Sequence, residues 1–254
     1  MPRVLYAIPG ALSKTRLGAE EVVRRRKVLE GWSAPDVEVD VRDVPTGPAS
    51  IESAYEEYLS VAPTAALLRD AEAEGFSAAI LGCFGDPGLD AALREVTTAM
   101  PVVGPGEAAF HVATMLGERF GIVTVTDGVV TPLRHLVERS GLIARLAGLA
   151  VTGLPVLDMN EDRGRAYAAV LERGRDLVDA GADVLVLGCM SMAFLDVTAS
   201  LEAELNVPVV NPARAALHVA ELLARTGLRH SKRTFPVPAK LAAGTVARLE
   251  DLLI

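Results

Sequence analysis

Two stretches of this chain recur in the same order at nearly the same separation. "GFSAAILGCF" (75–84) returns as "GADVLVLGCM" (181–190), with the two cysteines 106 residues apart. "PVVGPGEAAFHVA" (101–113) returns 107 residues later as "PVVNPARAALHVA" (208–220), identical at nine of thirteen positions. A period this long is not that of a stacked solenoid, so the repeat implies a duplicated domain. Within each half, apolar β-branched runs ("RVLYAI", "SAAILGC", "FGIVTV", "DVLVLGC", "VPVV") alternate with longer stretches of helical period. That is the pattern of buried parallel strands joined by crossover helices. The expected fold is α/β: two pseudo-symmetric domains, each a mainly parallel sheet flanked by helices, with an active site in the cleft between them. Helices are expected over 15–30, 51–74, 87–99, 105–117, 130–140, 163–180, 212–226 and 239–253. Each "PVV" strand precedes a helix that can cross to its neighbour. The expected division is therefore residues 1–103 with the returning segment 212–254, and residues 104–211.

Charge and hydropathy remove several classes of partner. A formal charge of −8 leaves no basic face for nucleic acid or an anionic membrane. The most apolar segment, "VLVLGCMSMAFL", falls short of the roughly 20 residues that cross a bilayer. "MPRVLYAIPG" lacks the regions of a signal peptide. Two cysteines in 254 residues are no disulfide framework. The expectations are a cytoplasmic protein with free thiols and a small-molecule ligand, without nucleic acid or membrane partners.

A lone cysteine at a strand end is most often a buried filler. Duplication changes that balance, because Cys83 and Cys189 both follow Leu-Gly at the end of an apolar strand. Ligands of parallel α/β sheets gather at the carboxyl ends of strands, so two facing halves would bring both sulfurs to one cleft. A cysteine near a helix N-terminus is more readily a thiolate, and "DPGLDAALREV" offers such a start, with Asp86 as N-cap and Pro87 in the first turn. One thiolate can then remove a proton from a carbon acid while a thiol on the opposite face returns one. The N–H groups of Phe84 and Met190 are expected to stabilise the enolate oxygen.

Together, "GPASIESAYEE" (47–57), "LGCFGDPGLDAALREV" (81–96), "PVVGPGEAAFHVA" and "VLVLGCMSMAF" (184–194) resemble the aspartate/glutamate/hydantoin racemase superfamily, and within it the hydantoin and allantoin racemase branch. The resemblance covers about residues 44–220. It implies cofactor-independent racemisation of 5-substituted hydantoins or allantoin-like rings, catalytic Cys83 and Cys189, and a homo-oligomer. It further implies that Gly47, Pro48, Phe84, Gly85, Thr124, Thr126, Met190 and Ser191 line the substrate pocket. Amino-acid racemases of the superfamily carry Asn-Thr after their cysteines to hold a carboxylate; Phe84-Gly85 and Met190-Ser191 suit a less charged ring. The chain departs from the branch at its N-terminal loop, where Pro9, Gly10 and Ser13 replace an Asn-Pro-Asn-Thr-Ser-like segment that touches the ligand and are expected to line the pocket in its place, and at "CMSMA", where the branch has "CAGMA". Other reactions of the same scaffold (an arylmalonate-type decarboxylase, a maleate isomerase, an amino-acid racemase) are the alternatives within enzymes, and a non-catalytic small-molecule sensor is the alternative outside them.

Other residues have plainer readings. His111 and His218, at equivalent repeat positions, are expected to pack helical faces. Glu107 is explained by the helix dipole. "RRRK" (24–27) reads as a solvated helical face. Gly104 and Gly106 make no nucleotide fingerprint, and no cluster has metal-ligand spacing, so neither metal nor cofactor is expected.

Overall fold

The computed structural model describes residues 1–244, apart from the side chains of residues 91 and 92; most of the helix expected over 239–253 lies outside them. Two four-stranded sheets form the frame. The first contains β1 (Arg3–Ile8), β2 (Glu38–Asp43), β3 (Ala78–Leu81) and β4 (Val102–Val103), in the order β2-β1-β3-β4. The second contains β5 (Phe120–Thr124), β6 (Leu146–Val151), β7 (Val184–Leu187) and β8 (Val209–Val210), in the order β6-β5-β7-β8. Every neighbouring pair is parallel. The fold is therefore the α/β duplication that the repeat implies, with β3 and β7, the strands that lead to the cysteines, in corresponding places.

The Leu-Gly-Cys signature has a backbone cause. Gly82 N–H donates to Ala7 O at 2.7 Å and Gly188 N–H to Val123 O at 2.6 Å, each adding one rung to the ladder of the neighbouring central strand. A Cβ at Gly82 would stand 2.9 Å from Ala7 O, and one at Gly188 2.7 Å from Val123 O. Neither gap admits a side chain, so glycine closes the ladder and the next residue leaves the sheet.

Helices cover the sheets: α1 (Gly18–Trp32), α2 (Ala54–Ala73), α3 (Arg94–Val96), α4 (Pro105–Leu116), α5 (Val130–Arg139), α6 (Arg163–Asp179), α7 (Met190–Ala193), α8 (Thr198–Leu205), α9 (Pro212–Thr226) and α10 (Ala239–Ala242). After β4, α4 packs against β5, β7 and β8 of the second sheet; after β8, α9 packs against β3 and β4 of the first, and the two helices pack on each other. One apolar core, including Tyr6, Phe110, Ile122 and Leu217, runs through both sheets, while Leu5, Leu68, Leu81 and Leu93 belong to a second cluster under α2. No helix among the described residues is long and apolar enough to cross a membrane.

The segment after Cys83 differs from the expected helix over 87–99. A π-helical turn, Leu89–Leu93, precedes the short α3, and Gly88 occupies its N-cap position at φ 71°. Asp86, at φ 50°, caps a different helix: its carboxylate accepts the N–H groups of Gly106 (3.1 Å) and Glu107 (2.8 Å) at the start of α4. The local pattern Asp-Pro-Gly resembles a cap for its own helix, but the nearest unsatisfied N–H groups are those of α4.

Candidate active site

Both cysteines line one cleft between the sheets, about 740 Å³ counted to its open mouth. Cys83 arrives from β3 and is half-buried; Cys189 arrives from β7 and is buried. The walls are largely apolar, with Ile8, Leu12, Val125, Val129, Leu133 and Leu157 among them. Four side chains bring polarity or charge besides the thiols: Glu57, Arg25, Ser50 and Ser191. Ser50 belongs to a loop that Glu52 ties across the cleft by accepting the Ser50 hydroxyl at 2.8 Å and Val156 N–H at 3.2 Å.

The two sulfurs have unlike surroundings. Cys189 occupies the N-cap position of α7, where the N–H groups of Ser191 and Met192 and the Ser191 hydroxyl favour its thiolate. The Arg25 guanidinium adds a favourable charge. Burial still pushes this thiol up, but four influences oppose it. Burial pushes the Cys83 thiol up as well, and here the Gly85 N–H alone opposes it, while Glu57, Asp86 and the other cysteine act in the same direction as burial. Cys83 is thus not at a helix start, contrary to expectation: the π turn begins six residues later.

Arg25 overturns the solvated reading of "RRRK". It is 4% exposed, donates to Glu21 Oε1 at 2.8 Å and to Ser191 Oγ at 3.4 Å, and lies 4.9 Å over the Phe194 ring. Arg24 closes the other side of Glu21, at 2.6 Å, and reaches Phe194 O at 3.0 Å. The signal in the sequence is the inward row Glu21, Arg25, Leu29 at i, i+4 and i+8, an acid one turn before a base on a core-facing stripe.

Glu57 was equally unmarked in "SIESAYEE". Ser53 caps α2 by accepting Glu56 N–H at 3.3 Å, and the Glu56 carboxylate accepts the Ser53 hydroxyl (2.9 Å) and Glu52 N–H (2.7 Å). This capping box consumes Glu56 and places the next acid at the cleft wall. Burial pushes the Glu57 carboxyl up, and Arg139 partly offsets it.

Of the other residues singled out in the sequence, Pro9, Gly10, Phe84, Gly85, Met190 and Ser191 line the cleft with the cysteines. Ser13, Gly47, Pro48, Thr124 and Thr126 are not among the lining residues. Ser13 N–H donates to Asp43 at 2.6 Å, Pro48 O accepts Ala11 N–H at 3.0 Å, and a Cβ on Gly47 would meet Pro9 O at 3.4 Å. The Thr124 hydroxyl donates to Gly188 O at 3.1 Å, fixing the turn into Cys189, and Thr126 Oγ1 is shielded without a partner. Neither His111 nor His218 fills a core: both are exposed, on α4 and α9, and His218 Nδ1 lies 3.1 Å from Glu221. Glu107 pairs with Arg94 as well as serving its helix start. No group of three His, Cys, Asp or Glu side chains suited to a metal stands together among the described residues.

The geometry has counterparts in known proteins. A hydantoin racemase from Pseudomonas sp. (strain NS671) is 40% identical over 197 residues, 76% of this chain and 77% of that protein. The structure of allantoin racemase from Klebsiella pneumoniae superposes with a TM-score of 0.84 at 32% identity, over 94% of this chain and 95% of the other. That of an arylmalonate decarboxylase, at 19% identity and a TM-score of 0.61 over 92% and 99%, shares the fold. The Asp/Glu/Hydantoin racemase family model matches residues 23–220, and with these similarities the chain belongs to that family and to the isomerases, as a racemase.

Proposed function

We propose that this racemase inverts the stereocentre of 5-substituted hydantoins or allantoin-like rings by proton transfer between Cys83 and Cys189, without a cofactor. The observation that carries this reading is the arrival of two thiols, from corresponding strand ends, on the wall of one cleft. In one direction the Cys189 thiolate removes the proton from the carbon between the ring N–H and the carbonyl. The C–H electron pair moves to the carbonyl oxygen as an enolate, and Cys83 S–H delivers its proton to the opposite face, becoming the thiolate. The reverse direction exchanges the two roles. Cys189 is the easier thiolate because its neighbours are two N–H groups, a hydroxyl and a guanidinium, whereas Cys83 has a single N–H beside the Glu57 and Asp86 carboxyls.

The lining supports a ring with an apolar substituent over a free acidic amino acid. Phe84 and Met190 follow the cysteines, and the opposite walls are aliphatic. An apolar 5-substituent gains from leaving water, while a second carboxylate would meet Glu57 rather than a free cation. The names of the similar proteins, hydantoin and allantoin racemase, agree with this choice. The cross-packing of α4 and α9 likewise supports units of 1–103 with 212–254 and of 104–211.

The test is turnover of a panel of enantiopure 5-substituted hydantoins, allantoin, aspartate and glutamate in deuterium oxide, followed by NMR and polarimetry. Loss of optical rotation together with deuterium at the stereocentre of a ring substrate is expected. Faster racemisation of aspartate or glutamate than of every ring would reject the substrate assignment.

A further inference from the structure

The carboxylates around the cleft are nearly all engaged. Glu52 holds Ser50 and Val156, Glu56 closes the α2 cap, Asp86 caps α4, and Glu21 is clasped by Arg24 and Arg25. Glu57 is the exception: among the described residues its carboxyl has no hydrogen-bond or ion-pair partner, and Arg139 acts on it only through space. It lines the same wall as Cys83 and Gly85, in a cleft whose surface is otherwise mostly apolar. Gly85 makes room for it, since a Cβ there would stand 2.5 Å from Glu57 Oε1. A half-buried anion facing an apolar cleft lacks the donors that water would give it, and a ligand N–H restores one.

We propose that Glu57 determines specificity by accepting the N–H bonded to the reacting carbon of the substrate, so that the cleft selects amide-type rings over oxygen rings of the same shape. The inference rests on the ring-racemase reading above. The position follows from the wall: the thiol of Cys83 must reach the reacting carbon, and Glu57 is the acceptor beside that thiol, so the N–H on that carbon is the nearest donor. Neutral polar donors also explain why a carboxylate, and not a cation, occupies this wall. A site built to pair with a substrate N–H discriminates strongly against an analogue that lacks it, because the buried acceptor is then left unpaired.

The test compares a 5-substituted hydantoin with the matching oxazolidine-2,4-dione, in which oxygen replaces that N–H. Exchange at the stereocentre in deuterium oxide is measured for each ring and normalised to its buffer-catalysed rate. The wild type is expected to prefer the N–H ring by roughly ten- to a hundredfold in kcat/KM. Glu57→Leu is expected to bring that ratio close to one, chiefly through KM for the N–H ring, and Glu57→Gln, which keeps the shape and one acceptor, to reduce it severalfold. Equal losses on both rings in Glu57→Gln, leaving the ratio unchanged, would overturn the proposal while the racemase reading stands. A wild type that exchanges neither ring would overturn both. If Glu57→Leu does not fold, Glu57→Gln decides alone.

Discussion

The two cysteine sites are the same up to the glycine and different after it. β3 and β7 both end in Leu-Gly-Cys, and Gly82 and Gly188 each close the ladder against a neighbouring carbonyl with no room for a Cβ. Beyond that point Cys189 stands at the N-cap position of α7, near two N–H groups, a hydroxyl and Arg25 that favour its thiolate, whereas Cys83 enters a loop bounded by Glu57 and Asp86. The strand end fixes where each sulfur stands. The groups that surround each sulfur fix how tightly it holds its proton. A symmetric frame with asymmetric electrostatics suits a pair that must hold one proton between them, one member as acid and the other as base.

Removing either sulfur is the strongest way to break the comparison. Cys83→Ser and Cys189→Ser are each expected to lower racemisation by roughly 10²–10⁴-fold, the range of a general acid or base, with circular dichroism and Tm unchanged within a few degrees. Polarimetry on one enantiopure hydantoin checks this. Near wild-type rates in both folded variants would return Cys83 and Cys189 to the status of strand-end filler.

The glycine half of the comparison predicts a symmetric effect. Gly82→Ala and Gly188→Ala each force a Cβ against a carbonyl of the adjacent strand and are expected to cost about 1–3 kcal/mol of stability. Urea unfolding of both variants measures it. A large loss in one and none in the other would show that the two strand ends are not equivalent.

Arg25 sharpens the asymmetric half. Its positive charge opposes the burial that raises the Cys189 thiol, so replacing it raises the pKa further and leaves less thiolate at neutral pH. Arg25→Met is expected to move the acid limb of the kcat/KM profile to higher pH and to lower kcat/KM at pH 7 by about tenfold, with recovery at alkaline pH. An unshifted limb would mean that Arg25 serves packing alone.

Asp86 adds a pH dependence of stability. Burial pushes its carboxyl up to about 8, against two N–H bonds from α4. The folded pKa lies above the unfolded value, so folding takes up a proton between about pH 4 and 8, and this group's contribution to stability declines as pH rises through that window. Asp86→Asn keeps an Asx cap and is expected to flatten the decline, which denaturant midpoints at pH 5 and 8 would reveal. An undiminished slope would assign the dependence to another group.

Much of this frame was legible in the sequence because repeats and buried strands leave strong patterns: "RVLYAI" matches β1 from end to end, and the cysteine-bearing strands are found twice over. The edge strands β2 ("EVDVRD") and β6 ("LAGLAV") did not stand out, since edges are only half buried and tolerate charge and glycine. The local sequence assigns Asp86 to the wrong helix because the α4 N–H groups it serves are some twenty residues away. Arg25 and Glu57 were hidden in runs of like charge, where only tertiary contact distinguishes the one side chain that turns inward. Local periodicity carries the fold, whereas the charges that differentiate the two thiols depend on which helix leans over which strand end.

The opposition of the two thiols is tested most directly by the face of the substrate that each one serves. Cys83→Ser and Cys189→Ser, incubated separately with each enantiomer of one hydantoin in deuterium oxide, should each still exchange the stereocentre proton of one enantiomer, because one functional thiol remains. The two variants should choose opposite enantiomers, and Cys83→Ser, which keeps the better-supported thiolate, should exchange faster at neutral pH. Exchange of the same enantiomer by both variants would place the sulfurs on one face of the ring and contradict the two-thiol account.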